Sequence, residues 1–132
     1  MKKGFFGNIE DQTKENNDFR RVLYTGAHVQ LVLMTLQPAE EIGLETHTEN
    51  DQFFRFEAGL GTVIVGETEY SVGDGDVVIV PAGTPHNVMN TGVEPLNLYT
   101  LYAPAHHNDG IVRATKQDAM DNEAEFDGVT TE

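Results

Sequence analysis

Glu45 and His47 stand two residues apart, and His86 follows a proline and glycine turn, in a chain without a single cysteine. Carboxylate and imidazole are donors that hold a divalent cation, and without thiolates any metal site here must use these groups and amide oxygens. Residues i and i+2 of an extended segment leave the same face, so Glu45 and His47 can grip one ion from one side. Gln52 opens the next apolar run and offers a neutral amide oxygen, a weaker donor, to the ion or to a water bound to it. The candidate metal ligands are therefore Glu45, His47, Gln52 and His86. Asp51 competes with Gln52 and would restore a carboxylate. Periodicity disfavours it, because the shift by one residue would turn Phe54 and Phe56 outward.

The elements that must position these residues are short strands. Phe19 to Tyr24 and His28 to Leu36 are rich in Val, Leu and Thr with no helical polar face, and Thr25-Gly26 divides them. Gln52 to Ala58 alternates so that Gln52, Phe54 and Phe56 share one face and Phe53, Arg55 and Glu57 the other. Thr62 to Val65, Tyr70 to Val72, Asp76 to Val80, His86 to Met89 and Leu96 to Leu101 follow, with Gly, Pro and Asn between them. Eight or nine strands at such intervals predict a β-sandwich or jelly-roll barrel. The spacing predicts an N-terminal arm over 1–20, a barrel over 21–105, and a tail over 106–132 with one helix between Ala114 and Phe126.

The motif spacing carries more than the strand pattern. Gly75-x5-Pro81-x-Gly83-x2-His86-x3-Asn90 and Glu45-x-His47-x4-Gln52-x6-Gly59 together resemble the paired motifs of the cupin superfamily. The second motif matches without departure. The first has Glu45 and Gln52 where the usual letters are His and Glu, and reading Asp51 as the ligand would put Ala58 in the glycine position. Over most of its length, including MKKGFFGNIE, YAPAHHNDGIV and EFDGVTTE, the chain resembles a group of small bacterial cupins, most without an assigned reaction. That resemblance implies an all-β jelly-roll barrel with a short C-terminal helix, a homodimer, and a divalent metal ion, Fe, Mn, Zn or Ni, inside the barrel. Two imidazoles and one carboxylate suit any of these and leave positions open for a small chelating ligand.

Around the ion, Phe54, Phe56, Met89, Tyr99 and Tyr102 are the expected walls of a substrate pocket, and Glu45, Tyr99 and Tyr102 are candidates for a general base. Asn90 is expected to brace the second-motif turn, and His28 to be structural. His106 and His107 are placed at the barrel mouth or on the surface. The bland alternative is a barrel that has lost its metal and keeps these residues as a hydrogen-bonded cluster.

Composition narrows the partners. At 132 residues the chain makes one domain, and 22 acidic against 8 basic side chains give a formal charge of −14. Such a surface repels nucleic-acid phosphates and anionic membranes. The N-terminal stretch lacks the apolar run of a signal peptide, so a cytoplasmic protein is expected. Only Arg55 lies between the motifs, and parity turns it outward, so a phosphate clamp is not expected. A neutral or monoanionic small molecule that chelates through oxygen is the expected ligand. The function classes are a dioxygenase-like or isomerase/lyase-like metalloenzyme, or a non-catalytic binding or sensing protein.

Overall fold

A computed structural model describes residues 1–132 and contains nine strands and two short helices. The strands are β1 (Arg20–Thr25), β2 (Gln30–Leu36), β3 (Asp51–Ala58), β4 (Gly61–Val65), β5 (Thr68–Val72), β6 (Val77–Val80), β7 (His86–Asn90), β8 (Leu96–Ala103) and β9 (Val112–Arg113). They form a six-stranded sheet in the order β6-β3-β8-β2-β1-β9 and a three-stranded sheet in the order β5-β4-β7. Bridges at Glu41 and Glu45 add the segment before the first motif to the free side of β7. The two sheets face each other as a jelly roll. No helix is long and apolar enough to cross a membrane.

Alternation builds the interior as the sequence predicts. Gln52, Phe54 and Phe56 of β3 are buried, opposite Tyr102, Thr100 and Leu98 of β8. Met34 and Leu36 of β2, with Val63 and Val88 of the smaller sheet, close the same core. Asp51, by contrast, is exposed and accepts a hydrogen bond from the Ala82 amide, which settles the parity in favour of Gln52. Gly59 is required sterically. It has φ of 89°, and a Cβ there would lie 2.5 Å from the Pro95 carbonyl oxygen.

Several expectations need correction. The first twenty residues are more than an arm, because helix α1 (Ile9–Glu15) packs on the barrel, its Thr13 buried and its N-terminus capped by Asn8. Asn97 of β8 ties its side-chain amide to the Thr13 and Asn16 carbonyls, which anchors that helix. The C-terminal helix α2 is only Lys116–Asp121, capped by Thr115 and ended at Asn122, since the acidic residues beyond have no apolar face to bury. The six-stranded sheet also takes β9 from the tail, where antiparallel pairing with β1 places Arg113 opposite Arg20. His28 is no strand residue; it is exposed in the 26–29 turn, closed by the Gly26 amide on the Val29 carbonyl.

Candidate metal centre

Backbone pairing brings the two motifs together. The Glu45 amide donates to the His86 carbonyl and the His86 amide to the Glu45 carbonyl, both at 2.9 Å, so the two side chains leave the same side of one antiparallel pair. The Gly83 amide of the Pro81-x-Gly83 turn donates to the His47 carbonyl at 2.8 Å. Gly83 has φ of 83°, which a side chain would strain, and that backbone reversal aims β7 into the site. One donor atom each from Glu45, His47 and His86 lies within 4.8 Å of the others.

Hydrogen bonds orient the donors. His86 Nδ1 sits 2.9 Å from the Thr84 carbonyl, and a carbonyl accepts only, so the proton is on Nδ1 and Nε2 carries the free lone pair. That Nε2 is buried and has no partner. His47 Nε2 is 3.1 Å from Glu45 Oε2. Burial by itself would raise the Glu45 pKa, but the His47 hydrogen bond and the charges of His47, Arg20 and His86 outweigh it and hold the carboxyl below its usual range. Gln52 gives its amide hydrogen to Thr100 Oγ1 at 3.0 Å, and its Oε1 is the second buried atom here without a partner. A buried polar atom left unpaired costs about 1–3 kcal/mol. Two such atoms on an inward face that also carries two imidazoles and a carboxylate fit a divalent cation.

The rings above the donors form one cluster, in which Tyr102 and His106 stack. The His106 ring centroid lies 4.3 Å from that of His47 and 5.2 Å from that of Tyr102, and His107 meets Tyr102 edge-on with its Nε2 3.2 Å from the hydroxyl. Burial drives the His107 pKa down to about 2 and the His106 pKa down to about 4, with the Arg20 charge adding to both. Burial and the Glu45 charge push the Tyr102 hydroxyl up. His107 is therefore a neutral interior residue rather than a surface one. Gln30, wholly buried on β2, accepts from the His106 and His107 amides and donates to the His107 carbonyl. A glutamine at the head of a largely apolar strand is the sequence signal for this brace.

The expected pocket walls are only partly in place. Tyr102 reaches the site, its ring 5.7 Å from that of His47, and Phe54 forms a floor 6.2 Å from the His86 ring. Phe56 is wholly buried in the core behind Phe54 and lines no cavity. Tyr99 and Met89 have the wrong parity. Tyr99 packs on Phe53 on the outer face of its sheet, and Met89 alternates with the buried His86, Val88 and Asn90. Tyr99 is thereby removed as a base candidate. Asn90 does brace its turn, donating to the Leu36 and Glu94 carbonyls and accepting from the Gly92 amide. The open space lies at the barrel's side, a cavity of about 330 Å³ bounded by Arg20, Ile42, Glu45, His106 and His107 and, on the tail, by Arg113 and Lys116. Basic side chains from outside the motif interval thus reach the site, against the expectation drawn from Arg55.

The family model described as a cupin domain matches residues 32–102. The chain belongs to the cupin family. An uncharacterised Bacillus subtilis protein, YrkC, is 48% identical over 124 residues, covering 89% of this cupin and 67% of its own length. An uncharacterised mimivirus protein, L612, is 40% identical over 78% of this cupin and 67% of its own length. The crystal structure of BH2720 from Bacillus halodurans superposes with a TM-score of 0.89 at 48% identity, over 91% of this cupin and 96% of that chain. This cupin shares its fold and much of its sequence with these proteins, none of which carries a reaction in its name.

Proposed function

We propose that this cupin is a metalloenzyme in which Glu45, His47 and His86 hold one divalent cation, of the Fe, Mn, Zn or Ni type, and act on a small oxygen-chelating molecule. The reaction class is oxygenase-like or isomerase/lyase-like, and the substrate is neutral or singly anionic. The observation that carries this reading is the bare, buried Nε2 of His86, its tautomer set by Thr84, converging on His47 and Glu45. A cation held there would act as a Lewis acid and template for the chelating oxygens.

The chain's own groups have separable tasks. Thr84 holds His86 in its donor tautomer, and the His106 and Tyr102 rings fix the plane of His47. Gln52 Oε1, buried and without a partner, can accept a hydrogen bond from a substrate hydroxyl or a water, while Thr100 holds the amide nitrogen in place. Tyr102, with its pKa raised, serves as a hydrogen-bond donor and not as a base. Glu45 is ionised but committed to the cation, so no free general base remains among these groups.

That shortage of proton-transfer groups favours a second reading, a binding cupin without turnover. Elemental analysis of protein purified without chelators, followed by oxygen-uptake and isomerisation assays with diketones, keto acids and phenols, separates the two. Metal with turnover supports the enzyme; metal without turnover supports the binding protein; protein that takes up no divalent metal overturns both.

We further propose a homodimer through the outer face of the six-stranded sheet. Ile79, Phe53, Leu101 and Leu31 lie in one cross-strand row there, and Val77 and Tyr99 flank Arg55 in the next. Ile79 and Val77 are exposed on an edge strand, the kind of surface that a second copy covers.

A further inference from the structure

We infer that Arg20 and Arg113 form a carboxylate-binding fork beside the metal centre, so that the ligand of this cupin is a small organic acid whose carboxylate meets the two guanidinium groups. This deepens the proposed function and rests on it for the chelating half of the ligand.

The chain has 8 basic side chains against 22 acidic ones, so a carboxylate partner is available to nearly any surface cation. Lys14, Arg21 and Arg55 have taken one, in Glu10, Asp18 and Glu57. Arg20, Arg113 and Lys116 all border the 330 Å³ cavity, and none of them is in an ion pair. Arg20 Nε is buried with no hydrogen-bond partner at all, while its guanidinium rests on the Phe19 ring at 5.3 Å. Arg113 spends its Nη hydrogens only on the Val112 and Asn122 carbonyls, at 3.4 and 3.2 Å.

Register adds an independent observation. Arg20 and Arg113 are directly opposed across the β1–β9 pair, which is only two residues long on the β9 side. Like charges at that position destabilise a strand pair. An anion held between them removes the repulsion. The guanidinium fork matches a carboxylate bidentately. Arg20, Arg113 and the metal donor Glu45 line one cavity, so one small molecule can meet the fork and the metal centre together. Glu123 and Glu125 on the same cavity rim offset part of the positive charge, which suits a single carboxylate better than a phosphate dianion.

Zinc content by elemental analysis reports on the metal centre alone. Calorimetric titration of pyruvate, a carboxylate that can chelate through its keto oxygen, then reports on the fork, in zinc-loaded and in metal-free protein. Acetohydroxamate, a chelator without a carboxylate, is the control. Arg20→Met and Arg113→Met are each expected to weaken pyruvate by about tenfold or more, as for a lost charge-assisted hydrogen bond, with zinc content and acetohydroxamate binding unchanged. Arg20→Lys, which keeps the charge and loses the fork, is expected to fall between. Wild-type protein that ignores millimolar pyruvate, or variants that bind it equally well, overturn the fork. Tighter binding of inorganic phosphate, which has no carboxylate, than of pyruvate overturns the carboxylate assignment. Protein without zinc whose pyruvate affinity still depends on both arginines removes the metal reading and leaves the fork standing.

Discussion

Replacing His86 with alanine removes the donor atom whose environment is best defined, the buried Nε2 that Thr84 leaves unprotonated. The readout is the rise in Tm on adding metal, taken for each variant against its own metal-free form, so that the folding cost of the substitution cancels. Wild-type protein at a free metal concentration of about 100 times Kd gains about 2.7 kcal/mol. With about 2.1 cal/mol/K of unfolding entropy per residue, a chain of 132 residues shifts by about 4 °C per kcal/mol, so the rise is about 10 °C. Loss of a residue that merely orients a ligand weakens metal by about 10–100-fold, and loss of a ligand itself belongs at the upper end of that range. At a hundredfold loss the same metal concentration equals the variant's Kd, the gain falls to about 0.4 kcal/mol, and Tm rises by about 1.5 °C. Differential scanning fluorimetry with Mn, Zn, Ni and anaerobic Fe measures this directly. A His86→Ala variant whose metal-induced rise equals that of wild type refutes the assignment of His86 as a ligand.

Further outcomes follow from other parts of the barrel. The His107 pKa is held near 2 in the folded chain against about 6.5 unfolded, so the unfolded state binds the extra proton below pH 6.5 and stability falls as pH drops, by up to about 1.4 kcal/mol per pH unit. His107→Gln is expected to flatten that slope in urea melts run at several pH values, and an unchanged slope argues against a buried neutral imidazole. Gln30→Leu leaves two backbone amides and a carbonyl unpaired, at about 1–3 kcal/mol each as an upper range, and hydrogen exchange at His106 and His107 should quicken. Phe56→Ala is expected to cost about 3–5 kcal/mol by chemical denaturation without weakening metal, because the ring belongs to the core and lies behind the site. Sedimentation of wild type should give a dimer that Ile79→Glu dissociates; a wild-type monomer at micromolar concentration removes the proposed sheet-face interface.

The fold was legible because a strand period of two is a local property. Gln52, Phe54 and Phe56 could be sent inward, and Asp51 outward, from their order alone. The second motif was legible for a similar reason, since Pro81, Gly83 and His86 make their turn and strand within a few residues of one another. Parity also decided against Tyr99 and Met89, and applying it to β7 and β8 as strictly as to β3 would have excluded both beforehand.

What a single sequence could determine was thus the fold class, the motif turns and three donors that converge. Tertiary structure alone decided the rest. It brought Arg20 from the first strand and Arg113 from the tail to one cavity with Glu45, laid His106 over His47, and set Gln30 beneath the turn that carries it. These contacts join residues tens of positions apart through strand order and register, and neither is written into any local pattern of side chains.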